Sequence, residues 1–243
     1  MASNKRNRTK GNVRGASRNP DPWILVVTEG KVTEVSYLKA LKVILKRSFE
    51  LPSIPTDHGD PLTLVELAKQ KRTDLERDAK RTRDPKTRLD EVWCVFDRDE
   101  HDKPRLSQAI DNARAASIKV AYSNPCFELW LLLHFRDQPG DQHRHHIQKM
   151  VGTFIPGYDK YVPPDALSDP NRIASAVKRA RSLAQQAEEE GDPYRSPTTS
   201  VYGLVCSLLN SSCSRSLSQS EQDFISTASS ACEKDAASGE GVQ

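Results

Sequence analysis

No run of this sequence approaches the roughly 18 consecutive apolar residues that a membrane-spanning helix requires, so no membrane partner is expected. The basic N-terminus lacks the apolar segment of a secretory signal. The five cysteines (Cys94, Cys126, Cys206, Cys213 and Cys232) are odd in number, scattered, and form no C-x-x-C pair. That spacing fits no structural zinc site and makes a disulfide framework unexpected; a cytoplasmic protein with reduced thiols is the expectation. There is no G-x-x-x-x-G-K-[ST] phosphate loop, no G-x-G-x-x-G after the first apolar run and no G-x-S-x-G elbow. These absences set aside P-loop nucleotide hydrolysis, dinucleotide binding and α/β-hydrolase chemistry.

Apolar residues are also scarce, at 36% of 243, with a mean hydropathy of −0.66. Part of the chain is therefore expected to lie outside any core. Residues 1–20 carry Lys5, Arg6, Arg8, Lys10, Arg14 and Arg18 with no acid, which reads as a disordered basic tail able to neutralise phosphates. Residues 211–243 are rich in Ser and Ala and read as a second disordered tail. Net charge is only +3. The basic residues between Lys69 and Arg88 are interrupted by Asp74, Glu76, Asp78 and Asp84, the pattern of a solvated helix face.

What remains alternates between two periodicities. Residues 23–28 are a continuous apolar, β-branched run, suited to a strand buried on both faces. Val32, Val35, Leu38, Leu41 and Leu45 then recur at helical spacing. A short strand over 49–54, a charged helix over 62–83, a strand over 91–96, a helix over 104–116 and a strand over 118–122 follow. Residues 127–135 read as a helix that is apolar nearly all round and must be buried. Further helices are expected over 143–152, 171–190 and 201–209. Strands alternating with helices predict a parallel, doubly wound α/β sheet over 21–135, with a helical extension over 136–210 packed on it.

The chemistry-bearing residues fall at strand ends. The run 91–96 stops on Asp97-Arg98-Asp99, and strand alternation projects Asp97 and Asp99 the same way, Arg98 the other. Two adjacent carboxylates call for a cation with oxygen ligands, or else form a solvated acidic turn. Glu29 follows the first strand, and in a parallel sheet both ends share the edge where ligands collect. Gly30 would allow a phosphate or metal close to the backbone. Glu34 can reach the same crevice or serve the start of its helix, with Thr28 or Thr33 as cap. His101 is a proton carrier, a phosphate contact or a turn residue. Glu128 opens the apolar helix, as a site carboxylate or a partner of the helix dipole. His134 reads as a core residue, and His143, His145 and His146 as a polar loop, since their spacing matches no zinc pattern.

Three segments carry a resemblance: Ile24-Leu25-Val26-Val27-Thr28-Glu29-Gly30-Lys31-Val32-Thr33-Glu34, Val95-Phe96-Asp97-Arg98-Asp99-Glu100-His101, and residues 123–135 from Ser123-Asn124-Pro125-Cys126-Phe127-Glu128 onward. With the later Ser196-Pro197-Thr198-Thr199-Ser200-Val201-Tyr202, the chain resembles the RloB-like family over about 23–210. That bacterial family, often encoded near restriction and phage-defence loci, is similar to Toprim proteins. The resemblance implies a Toprim-like (Rossmann-like) fold, Glu29 as acid–base residue, and Asp97 and Asp99 as ligands of Mg2+ or Mn2+. Glu34, His101, Asn124 and Glu128 would stand in or next to the metal's ligand sphere, and Lys31, Arg98 and Asn124 are the candidate contacts to nucleic acid. The activity it implies is a Mg2+-dependent nuclease acting on RNA, including tRNA, or on DNA in defence against phage. A homodimer and a defence-system partner protein are among the partners it suggests. The alternative is a non-catalytic binding module whose partner does the chemistry. A topoisomerase-like transesterase is a third reading, weakened because no further domain offers the nucleophilic tyrosine.

Overall fold

The computed structural model describes residues 23–46, 60–82, 89–98, 102–138, 140–211 and 217–232. Four strands are found among them: β1 (Trp23–Thr28), β2 (Leu89–Asp97), β3 (Lys119–Asn124) and the two-residue β4 (Thr198–Thr199). They lie in the order β1-β2-β3-β4. The first three are parallel, with Thr28 beside Val95 and Asp97 beside Ser123. β4 runs antiparallel to β3, Thr199 facing Ser123. The α/β arrangement is the one the alternating periodicities predict, and it is consistent with the Toprim-like fold that the resemblance implies; β4 is too short to leave a pattern in the sequence. The expected strand over 49–54 and the basic tail over 1–20 lie outside the described residues.

Among the described residues, eight α-helices accompany the sheet: α1 (Thr33–Leu45), α2 (Pro61–Thr82), α3 (Lys103–Ala115), α4 (Glu128–Leu133), α5 (Arg144–Phe154), α6 (Pro170–Glu189), α7 (Val201–Asn210) and α8 (Gln219–Ser229). None is long and apolar enough to cross a membrane. Strand alternation divides them into two layers. Leu25, Val27, Val92, Cys94 and Phe96 pack with Leu64, Val65 and Ala68 of α2 and Leu106 and Ile110 of α3. Ile24, Val26, Trp93 and Val95 pack on the other face with Tyr37, Leu38 and Leu41 of α1 and with α4 to α7. Both sheet faces are thus covered, which is why these strands read as unbroken apolar runs. Residues 140–211 share that second layer's core and give β4 to the sheet itself.

Local signals set the helix ends. Asp102 Oδ1 accepts from Arg105 N at 3.0 Å with Pro104 in the first turn of α3, and Asp169 caps α6 in the same way. The disordered tail expected from residue 211 is corrected over 217–232. There Ser218 and Glu221 form a reciprocal capping box and α8 packs Phe224, Ile225 and Ala228 on the core. Two further ties hold it: Arg181 donates to the carbonyls of Ala231 and Cys232, and Cys206 and Cys232 form a disulfide. Serine-rich composition masked the apolar stripe, and cysteines 26 residues apart gave no hint of pairing.

Candidate active site

Parallel pairing of β1 and β2 brings their carboxyl ends side by side. Leaving β1, Glu29 donates its N–H to Val95 O at 2.8 Å, and its Oε2 accepts from Asp97 N at 3.1 Å. Asp97 is the last residue of β2. By alternation it shares the sheet face of Trp93 and Val95, toward α1 and α4. Glu34 sits in the first turn of α1, where no side chain caps the helix; neither Thr28 nor Thr33 takes that role, and Thr28 Oγ1 instead donates to Gly30 O at 3.0 Å. The Glu34 carboxylate folds back over Gly30: a Cβ there would fall 1.9 Å from Glu34 Oε2. Gly30 makes room for a side chain four residues on, and it also lines the cleft. Glu128, the first residue of α4, closes the ring. Glu29, Glu34, Asp97 and Glu128 line one cleft of about 350 Å³, with Lys31, Arg144 and Lys160 at its rim.

The electrostatics of this cleft are those of crowded, desolvated acids. Glu34 is 5% exposed. Burial first, then the charges of Glu128 and Glu29, raise its carboxyl to about 7, with a backbone hydrogen bond and Lys160 acting against the shift. Asp97 is driven well above the ordinary carboxylate range by burial and then by Glu34, Glu128 and Glu29, while the Phe127 N–H opposes. Its Oδ1 is buried without a hydrogen-bond partner. Glu128 is 3% exposed, and its Oε1 accepts from Tyr158 Oη at 3.2 Å and Gln148 Nε2 at 3.3 Å. Among the described residues no group of three His, Cys, Asp or Glu is gathered tightly enough to hold an ion as it stands. The donor set nevertheless suits a hard divalent cation: oxygen ligands only, a surplus of negative charge, and one orphaned buried carboxylate oxygen. Asp99 and His101 lie outside the described residues.

The family model for RloB-like proteins matches residues 24–208. The chain belongs to the RloB-like family. The matched span runs from β1 into α7 and contains all four cleft acids. No curated protein and no solved structure matches this chain.

In this RloB-like chain the other sequence candidates separate. Lys31 is one of the residues lining the cleft. Arg98 turns away and donates from Nη1 to Tyr194 O at 3.3 Å. Asn124 is 4% exposed, and its Nδ2 donates to the same carbonyl at 2.8 Å. Asn124 is therefore corrected from a nucleic-acid contact to a lock that holds the 192–195 loop against the strand ends. His134 is a core residue: it is buried against Tyr37 and Trp130, its Nδ1 is 3.0 Å from Trp130 O, and burial lowers it to about 4. His143 caps α5, accepting weakly from His145 N at 3.4 Å. Both line a second, larger groove of about 750 Å³ that meets the acidic cleft at Arg144 and Lys160. Sequence reasoning missed Arg144, Gln148, Tyr158 and Lys160. All four come from the region between α4 and α6, which showed only helical periodicity and an irregular loop.

Proposed function

We propose that this RloB-like protein is a Toprim-type, Mg2+- or Mn2+-dependent nuclease that hydrolyses phosphodiester bonds in RNA or DNA and serves in cytoplasmic antiphage defence. The observation that carries the proposal is the convergence of Glu29, Glu34, Asp97 and Glu128, from the ends of β1, α1, β2 and α4, with Asp97 Oδ1 buried and unpartnered. Clustered acids that destabilise one another are tolerated where function requires them.

Asp97, Glu29 and Glu128 are the residues that would hold the cation. A divalent ion so held supplies charge neutralisation at phosphate and makes water a stronger nucleophile near neutral pH. Glu29 has two positioning contacts: its own N–H is fixed to β2, and its carboxylate grips the N–H of Asp97. That keeps Asp97 aimed into the cleft. Glu29 would be the group that takes a proton from water. Gln148 and Tyr158 donate hydrogen bonds to Glu128 Oε1 and so hold its carboxyl group in place. Lys160 and Arg144 put positive charge at the mouth, where an entering phosphodiester needs it.

Incubating labelled tRNA, single-stranded RNA, single-stranded DNA and duplex DNA with Mg2+, Mn2+ or chelator, beside Asp97→Ala, tests the proposal. Metal-dependent cutting that Asp97→Ala abolishes is the expected result and names the substrate. Cutting that survives Asp97→Ala overturns it. Binding without cutting under every metal condition transfers the protein to the alternative class, a nucleic-acid-binding module.

A further inference from the structure

Residues 158–162 form a strap across the mouth of the acidic cleft. One end is pinned by Tyr158 Oη, which donates to Glu128 Oε1 at 3.2 Å. The other is pinned to α1: Val162 N donates to Ser36 Oγ at 3.0 Å, and Ser36 Oγ lies 3.2 Å from Lys160 O. Between these anchors Lys160 adopts φ 61°, a left-handed conformation that side chains other than glycine, asparagine and aspartate seldom take. Its exposed side chain lines both the acidic cleft and the histidine-bearing groove beside it. The next residue, Tyr161, is 60% exposed. It lines, with Val32, Lys39 and Val43, a groove of about 300 Å³. That groove joins the acidic cleft through Lys31 and Val32, and no acid lines it among the described residues. An exposed aromatic ring beside apolar side chains and lysines, with no acid lining the groove among the described residues, suits a ligand that is both flat and anionic.

We propose that the strap is a grip for single-stranded nucleic acid: Lys160 holds a phosphate at the mouth of the acidic cleft, and Tyr161 stacks on an unpaired base in the adjoining groove. This rests on the nuclease reading for the strand's direction across the cleft, but not for binding itself. A duplex keeps its bases stacked on one another, so Tyr161 has nothing to cover in it. Lys160 and Tyr161, neighbours in sequence, thus divide backbone and base between them. The pinned strap fixes their separation before the strand arrives.

The test is binding in chelator, in an Asp97→Asn background where cleavage is absent, to fluorescein-labelled 12-nucleotide single-stranded RNA, single-stranded DNA and duplex DNA. Fluorescence anisotropy reads the affinity, and a thermal melt verifies that each variant is folded. Tyr161→Ala is expected to weaken single-strand binding roughly 5- to 100-fold, while Tyr161→Phe and Tyr161→Trp stay within about twofold of the parent. Lys160→Gln is expected to lower the slope of log affinity against log salt by about 0.7, the loss of one phosphate contact on a single strand, and Lys160→Arg to restore it. The RNA and DNA arms show which strand the grip prefers. Unchanged affinity in a folded Tyr161→Ala protein, or a duplex bound as tightly as the single strands, overturns the proposal. If binding behaves as expected but the native protein cuts nothing with metal, the nuclease reading fails and the grip stands. If cutting occurs but Tyr161→Ala leaves binding unchanged, the grip fails and the nuclease stands.

Discussion

Strand β2 carries an acid near each end on the same face, Glu91 and Asp97, and the two live under opposite rules. Glu91 accepts hydrogen bonds from Lys119 Nζ, Trp93 Nε1 and Ser207 Oγ. Burial works to raise its carboxyl, but those three donors hold it below the ordinary value. Six residues along, Asp97 meets Glu34, Glu128 and Glu29 and is pushed the other way. Both ends hold polar groups out of water, so burial alone does not distinguish a structural acid from a functional one. The neighbours do. At the amino end every buried acceptor has its donors, as a self-sufficient fold requires. At the carboxyl end acid crowds acid, and the carboxyls of Glu34 and Asp97 are raised in consequence; on the proposed reading this is where a cation would bind.

The largest effect that could break this contrast is on turnover. Asp97→Ala is expected to lower metal-dependent cleavage at least about 100-fold, whereas Glu91→Gln leaves it within a few-fold; equal losses would dissolve the distinction. Stability should respond in the reverse sense. Glu91→Ala strands the Trp93, Ser207 and Lys119 donors and is expected to cost roughly 1–2 kcal/mol, discounted for partial exposure, seen as a fall of several degrees in Tm. Glu34→Gln in metal-free solution should instead stabilise, and only above mild acidity. The folded-state value of Glu34, about 7, lies above its ordinary 4.5, so the folded protein holds a proton that the unfolded chain has released. Stability is then complete below about pH 4.5 and lost as pH rises through 7. Glu34→Gln should flatten that decline in a series of melts from pH 4.5 to 8. If the native protein grows more stable across that range, the crowding is not real. The smallest effect belongs to an acid under neither rule. Asp74, half-buried on α2, paired with Arg77 at 3.4 Å and accepting from Gln70 at 3.0 Å, should change stability by no more than about 0.5 kcal/mol when replaced by Ala.

Much of this was legible before any coordinates. The apolar runs at 23–28 and 91–96 became β1 and β2 because strands covered on both faces have no polar side to hide them. Glu29, Asp97 and Glu128 stood out because each interrupts or opens such a run, and parallel pairing delivers those interruptions to one edge. The same logic misled at Asn124. A polar residue at a strand end can face a ligand or lock a loop, and only the position of Tyr194 decides between them. Lys160, Tyr158 and Gln148 carried no signal. They reach the cleft through packing between elements far apart in sequence, and the loop that bears two of them has no period to read. The apolar stripe of α8 was hidden by serines, which cap its start and face outward along its length.

Gly30 and Glu34 have a consequence for how this site can change over generations. The carboxylate of one occupies the volume where the side chain of the other would begin. The two positions are thus a single specification written four residues apart. Gly30→Ala alone must displace a buried carboxylate or open the turn, and a shorter residue at 34 removes the obstacle. The two substitutions together should cost less than the sum of their separate costs. Change at one of these positions is therefore felt at the other: a residue with a side chain at 30 must move the carboxylate at 34, and a shorter residue at 34 frees position 30.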